Sequence, residues 1–137
     1  MISRALAIRL RDGGLRWRPR SGDQFQLVVS DMESTGSDVF TVSDMTIEAH
    51  DFPSGTVLGF NGTTEWALDS VSIGDALWFP REDQLREALK ATFERLEWAG
   101  DGWAVLTRFR GEERRFEAEP ADEAYGLALL EQVLATV

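Results

Sequence analysis

Apolar residues recur every three or four positions in three parts of the chain, which is the spacing of a helix with one buried face. The first run covers residues 2–10; Ser3 can serve as its N-cap, and the glycine pair at 13–14 ends it. The second run begins after Pro80 and the third covers residues 120–134. The apolar face predicted for the second helix consists of Leu85, Ala88, Leu89, Thr92 and Phe93. For the third helix it consists of Tyr125, Leu129, Leu130, Val133 and Leu134.

Between the helical runs lie short stretches that alternate apolar and polar residues or are rich in β-branched and aromatic ones, as is typical of strands. Strands are predicted at residues 25–29, 39–42, 56–60, 94–98, 103–109 and 114–118. Residues 46–50 either continue the strand at 39–42 or form the next one, and residues 76–79 are a short apolar run that ends at Pro80. Residues 15–18 are predicted as a strand or an extended segment, and 63–71 fits either a short helix or a bent strand. The turn at 51–55 predicts a hairpin, and Trp98 and Trp103 flank another turn, so we expect them to pair across strands.

The order of these elements indicates the fold class. Strands follow one another in hairpin runs and do not alternate with helices, which favours an α+β fold with an antiparallel sheet. A chain of 137 residues most often forms one domain, and we see no linker that divides it. We therefore predict a single domain over residues 1–137, with a mostly antiparallel sheet and an N-terminal, a central and a C-terminal helix. The 43% of hydrophobic residues can build its core.

Charge is distributed unevenly along this acidic chain of net charge −10. Residues 21–80, which we call the acidic middle, contain ten carboxylates and neither Lys nor Arg, and residues 81–137 have a net charge of −5. The first twenty residues have six arginines and one aspartate, a net charge of +5. These six residues, the arginine head, are Arg4, Arg9, Arg11, Arg16, Arg18 and Arg20. We expect them to pair with the acidic middle, either within the fold or across a subunit interface.

Composition disfavours several classes of protein. The absence of cysteine excludes a disulfide framework and a thiolate metal site. The apolar run at 2–10 is interrupted by two arginines, unlike a signal peptide, and no apolar stretch approaches the ~20 residues of a membrane span. We therefore expect a cytoplasmic protein that does not bind membranes. Nucleic acid is disfavoured as a partner because the acidic middle would repel phosphates beside the arginine head.

The segment 44–51 contains the single histidine and is the candidate for a metal or catalytic site. If it is a strand, Glu48 and His50 point to the same face, with Asp44 further along that face and Asp51 next in sequence. A carboxylate beside an imidazole can begin a Zn²⁺ or Mn²⁺ site. The alternative is a solvated strand end entering a turn, because the sequence identifies no distant third ligand. Because the chain has no phosphate-binding loop and this segment offers no third ligand, we predict no cofactor and no bound metal.

The five tryptophans either fill the core or line a ligand-binding cleft. Trp17 lies between two arginines in an alternating stretch, so we expect it to be partly exposed. Because Trp and Arg are enriched at the centres of protein interfaces, the predicted interface residues are Arg16, Trp17 and Arg18.

Three segments, 39–45, 58–69 and 77–85, resemble small acidic bacterial proteins that are often labelled as pilus assembly proteins of the CpaE type. The resemblance spans most of the chain, and its most specific part is the block from Asn61 to Trp66. Proteins of that name are similar to ParA/MinD-type ATPases, which require a phosphate-binding loop. Because this chain lacks such a loop, the resemblance implies no ATPase activity and no site residue.

The uneven charge, without a catalytic constellation, favours a non-catalytic role in protein–protein interaction. The leading hypothesis is an accessory protein that binds another protein or associates with itself, for example as a homodimer. The alternative is a metal-dependent enzyme or a small-molecule-binding domain that uses the segment 44–51.

Overall fold

The computed structural model describes residues 1–28, 38–43, 47–60 and 71–136, and within these ranges it contains three α-helices and nine strands. In chain order they are α1 (Arg4–Gly13), β1 (Gln24–Leu27), β2 (Val39–Thr41), β3 (Ile47–Phe52), β4 (Gly55–Phe60), β5 (Val71–Ser72), β6 (Ala76–Phe79), α2 (Glu82–Leu89), β7 (Phe93–Trp98), β8 (Trp103–Phe109), β9 (Glu112–Ala118) and α3 (Ala121–Ala135). Short 3₁₀ turns cover Ile73–Asp75 and Lys90–Thr92. The predicted α+β class with antiparallel sheets is confirmed.

The chain divides into two compact units. The terminal unit combines residues 1–16 with 80–137, and the inserted unit comprises residues 17–79. Both ends of the sequence therefore contribute to one unit, and the acidic middle lies almost entirely in the other. The prediction of one domain over residues 1–137 stays a prediction.

The terminal unit is built around α3. The strands form an antiparallel sheet in the order β7-β8-β9; α3 contacts β8 and β9, and both α1 and α2 contact α3. Its fully buried residues come from all of these layers, as expected of a single core. They include Leu6, Leu10, Leu85, Leu89, Val105, Tyr125 and Leu129. No helix of the described residues is long and apolar enough to cross a membrane.

The first helix begins and ends where the sequence predicts. The Ser3 hydroxyl accepts a hydrogen bond from the Leu6 amide at 3.2 Å, so Ser3 is the N-cap. Gly14 adopts the left-handed conformation with φ 115° and closes the helix. The helix packs closely on α3 because position 126 is glycine: a Cβ there would lie 2.5 Å from a Leu6 methyl carbon.

The central helix is shorter than predicted. The expectation that Thr92 and Phe93 lie on its apolar face was wrong, because α2 ends at Leu89 and Phe93 begins β7. A tertiary contact holds the chain in this exit path: the Thr92 hydroxyl donates to the Leu89 carbonyl at 2.6 Å and accepts from the Gln132 amide of α3 at 2.7 Å. Because residues 92 and 132 are far apart in sequence, their contact produces no local sequence pattern from which the end of α2 could be predicted.

The inserted unit contains two small antiparallel sheets, with strand orders β2-β1-β6 and β3-β4-β5. The hairpin predicted around residues 51–55 is confirmed by the pairing of β3 with β4. The core of the inserted unit contains Phe25, Val42, Leu58 and Ala76. Residues 15–18 lie in neither a helix nor a strand, and 61–70, which include most of the ambiguous stretch 63–71 and all of the block 61–66, lie outside the described residues.

Candidate interaction surface

The arginines of α1 lie on the outer side of the terminal unit. Leu6 and Leu10 are buried, and α1 contacts α3, so the polar positions of the helix face solvent. All six residues of the arginine head are exposed. Arg4, Arg9, Arg11 and Arg16 belong to the terminal unit, and Arg18 and Arg20 belong to the inserted unit.

Most of the arginine head has no ionic partner within the described part of the chain. The Arg11 guanidinium lies 3.1 Å from its neighbour Asp12. Four other guanidinium groups form no salt bridge and no side-chain hydrogen bond with any residue that the structure describes. They belong to Arg9, Arg16, Arg18 and Arg20. The expected pairing with the acidic middle is therefore absent for these four among residues 1–28, 38–43, 47–60 and 71–136.

Arginines on the sheet of the terminal unit are in a different situation. Three of them and four glutamates form a connected set of ion pairs, which we call the sheet network. Its members are Glu94, Arg95, Glu97, Arg108, Glu113, Arg115 and Glu117. Arg108 contacts Glu94 at 2.9 Å and Glu113 at 3.6 Å, so one arginine joins all three strands.

The strand register explains why the sheet network forms. Arg108 stands directly opposite Glu113, and Leu106 is flanked by Arg95 on one side and Arg115 on the other. Leu106, which lies between these two arginines, is only 5% exposed. Opposite charges on paired positions of an antiparallel sheet stabilise the pairing.

The electrostatic effect of the sheet network is clearest at Glu97. Hydrogen bonds from Arg115, and then from Arg95, hold the pKa of the Glu97 carboxyl below its ordinary value. The same contacts with Glu97 and Glu117 raise the pKa of the Arg115 guanidinium. Both shifts favour the charged forms of Glu97 and Arg115.

Trp17, a predicted interface residue, is anchored in the inserted unit. Its ring is half-buried, lies parallel to that of Trp78 at 6.2 Å, and donates a hydrogen bond through Nε1 to Asp23 Oδ2 at 2.9 Å. Asp23 is 1% exposed and also accepts from the Arg20 amide at 3.0 Å. The flanking Arg16 and Arg18 are exposed, but the interface role of these three residues stays a prediction.

A more exposed tryptophan lies at the end of β7. Trp98 is 59% exposed, and its ring meets that of Trp103 edge to face at 5.2 Å, which confirms the expected cross-strand pair. Sequence reasoning placed Trp17 first among exposed tryptophans and did not single out Trp98. The exposure of Trp98 could have been predicted from its position as the last strand residue before a glycine-containing turn, because a side chain at that position extends beyond the sheet.

The candidate metal site is described only in part. Asp44 lies outside the described residues, as does the side chain of Glu48. His50 is half-buried in β3, and the exposed Asp51 accepts a hydrogen bond from the Thr56 hydroxyl at 2.8 Å. Within the part of the chain that the structure describes, no group of three or more His, Asp or Glu side chains could hold a metal ion. The catalytic or metal-binding role of these four residues stays a prediction.

Comparison with known protein-family models, with curated proteins and with solved structures finds no match for this chain. The resemblance to CpaE-type proteins therefore stays a prediction. The surface of the chain carries exposed guanidinium groups, which are strong bidentate ligands for carboxylates.

Proposed function

We propose that this protein is a non-catalytic interaction or accessory protein that binds an acidic polypeptide surface through its arginine head. The observation that carries the proposal is the set of four exposed guanidinium groups without a carboxylate partner among the described residues. No described residue accepts a hydrogen bond from any of these four guanidinium groups, each of which has five N–H donors.

The contrast with the sheet network supports a partner outside the described residues. The described glutamates of the terminal unit are close enough to one another and to the sheet arginines to form pairs, yet none reaches Arg9 or Arg16. Exposed arginines contribute little to the stability of the chain that bears them. A role in recognition explains why they are concentrated within twenty residues.

An acidic polypeptide fits this surface better than nucleic acid does. The chain has a net charge of −10, and a nucleic acid that engaged the head would bring a dense row of phosphates beside an acidic protein. An acidic polypeptide presents carboxylates one at a time, which matches separate guanidinium groups. A second copy of the chain qualifies, because its inserted unit carries ten acids and two arginines.

The test measures binding of a fluorescently labelled oligoglutamate peptide by anisotropy, together with the oligomeric state by sedimentation, over a salt series. We expect the peptide to bind, and its affinity to fall as salt approaches about 0.15 M, where charges more than about 8 Å apart are screened. In the double variant Arg16→Gln with Arg18→Gln, we expect the affinity to drop by roughly tenfold, from the loss of two charge-assisted contacts.

The matched control removes the same number of arginines from the sheet network, as Arg95→Gln with Arg108→Gln. Because these arginines already have glutamate partners, the control should bind the peptide as the unaltered protein does. A chain that binds no peptide and stays monomeric at every salt concentration would overturn the proposal. Tighter binding to duplex DNA than to the peptide would also overturn it, in favour of nucleic-acid recognition.

A further inference from the structure

A second feature of the terminal unit, separate from the arginine head, is an open cleft beside α2 with a volume of about 520 Å³. One side of α2 supplies most of its lining, and the rings of Phe93 and Tyr125 supply the remainder. This volume lies within the range of roughly 300–1,000 Å³ that small-molecule sites occupy. The cleft is thus large enough for a metabolite.

The hydroxyl group of Tyr125 is an unpartnered polar group at this cleft. The residue is 2% exposed, and its ring packs against Phe93 at 5.5 Å between centroids. Its hydroxyl forms no hydrogen bond with any described residue, and yet it is not among the fully buried polar atoms that lack a partner. The hydroxyl is therefore reached from the cleft, and a buried tyrosine normally has a partner for it.

Burial also fixes the chemical state of this hydroxyl. Desolvation raises the pKa of Tyr125, and the charges of Arg86 and Glu82 act on it in opposite directions, Arg86 lowering the pKa and Glu82 raising it. At neutral pH the group is a protonated donor with a positive and a negative side chain nearby.

Five charged residues line the cleft, of which Asp83 contacts Arg81 at 3.2 Å and the other four are not paired with one another. Arg86 places its guanidinium carbon 4.6 Å from the centre of the Phe93 ring instead of against a carboxylate. Lys90, Glu82 and Glu87 likewise form no salt bridge with any residue in the described ranges, although their spacing along α2 would allow pairs. Within the described part of the chain, two cations and two anions of this one cleft therefore have no ionic partner.

The backbone at the end of the cleft is strained. Lys90, the only lysine of the chain, has φ 54°, a conformation that non-glycine residues seldom adopt. Such strain costs on the order of 1–3 kcal/mol and is concentrated at functional sites. The residue that adopts this conformation is part of the lining of the cleft.

From this arrangement we infer that the cleft binds a free α-amino acid. Its carboxylate is held by the Arg86 guanidinium and the Tyr125 hydroxyl, and its ammonium group by the carboxylates of Glu82 and Glu87. A simple anion would meet two uncompensated carboxylates and a simple cation would meet Arg86 and Lys90. Only a ligand that carries both a positive and a negative charge gives a partner to the carboxylates and to the cations of the cleft.

The test is isothermal titration of the full chain with each standard L-α-amino acid. We expect at least one to bind with a Kd of about 1 mM or tighter. Its affinity should fall about fivefold in Tyr125→Phe, which removes only the hydroxyl, and at least about tenfold in Arg86→Gln, which removes a charged donor. Arg114→Gln is the matched control, because Arg114 is exposed but paired with Glu112 at 2.8 Å and does not line the cleft.

Deamino and decarboxy analogues of the tightest ligand decide whether both charges matter. We expect each analogue to bind at least about tenfold more weakly. The inference is overturned if no amino acid binds, if either analogue binds equally well, if a dipeptide of the same residue binds more tightly, or if Tyr125→Phe and Arg86→Gln leave the affinity unchanged. These outcomes are independent of the arginine head, whose own test uses a different ligand and different variants.

Discussion

The arginines of the sheet network and those of the arginine head are exposed side chains of one type in opposite surroundings. Those of the sheet network are between 42% and 53% exposed, and each contacts at least two glutamates. Four of the head have no carboxylate partner in the described part of the chain. Exposure alone does not show whether a charged side chain is available to a partner. Availability depends on whether neighbouring side chains already form ion pairs with it.

The reason for the difference lies in the secondary structure. In β9, residues two apart share a face, so Glu113, Arg115 and Glu117 alternate in sign along one side. A neighbouring strand then brings further charges into register. Arg16, Arg18 and Arg20 have the same spacing, but residues 15–20 belong to no strand and have no cross-strand partner.

The largest expected effect concerns how α1, with its three arginines, is attached to α3. Gly126→Val would place its Cβ 2.5 Å from a Leu6 methyl carbon, so the buried Leu6 side chain must shift within the packed contact between α1 and α3. We expect a loss of about 3 kcal/mol in the free energy of unfolding, measured by urea denaturation. The control is Gly74→Ala, where the nearest atom lies at 3.9 Å, and it should change stability by less than about 0.5 kcal/mol. Equal losses in the two variants would show that the close packing of α1 on α3 has no energetic consequence.

The next effect distinguishes Trp17, which is anchored in the inserted unit, from the arginines on either side of it. Trp17→Phe removes the N–H group that binds the buried Asp23 carboxylate. A buried charged acceptor that loses a donor should cost about 2 kcal/mol in chemical denaturation. The same substitution at the exposed Trp98 should cost less than about 1 kcal/mol, since Phe preserves an aromatic pair with Trp103. A stable Trp17→Phe protein would mean that Trp17 is a free contact residue like its neighbours.

A smaller difference is expected between single arginines of the two regions. Arg108→Gln breaks contacts with Glu94 and Glu113, and it should lower the free energy of unfolding by about 1 kcal/mol at low salt. Arg18→Gln breaks no contact with a described residue and should change it by less than about 0.3 kcal/mol. Added salt should reduce the first effect and leave the second unchanged. Similar losses from both variants would remove the distinction between the two regions.

The smallest effect is a pH dependence confined to the sheet network. The pKa of Glu97 is lowered in the folded protein, chiefly by Arg115, so its contribution to stability is complete above the ordinary glutamate pKa of 4.5. As pH falls below 4.5 and through the lowered pKa, Glu97 takes up a proton and the contribution is lost. Thermal melts between neutral pH and pH 3 should therefore decline less steeply for Glu97→Gln than for the unaltered protein. Arg18→Gln should follow the unaltered curve, and any flattening there would reveal an acidic partner of the head.

Much of the local structure was predictable because it depends on neighbouring residues. The first helix was located to the residue by Ser3 and the glycine after position 13. The pairing of Trp98 with Trp103 followed from their places on either side of one turn. The end of α2 was not predictable, since the contact between Thr92 and Gln132 depends on how distant segments pack.

The candidate sites divide in the same way. The arginine head is visible in the sequence as a run of one charge, and its residues remained candidates throughout. The cleft beside α2 was missed, because Tyr125 reads as an apolar residue of a helix face and Phe93 as part of another. Only their contact at 5.5 Å, with Arg86 over one ring, shows a ligand-sized space.

By itself, the sequence determined the α+β class, nearly all of the described helices and strands, and the separation of charge along the chain. These properties depend on spacing, capping and turn chemistry over a few residues. Only the tertiary structure decided which arginines are neutralised and which side chains surround the cleft. Ionic and ring contacts form between residues far apart in sequence, and strand register and helix packing bring them together.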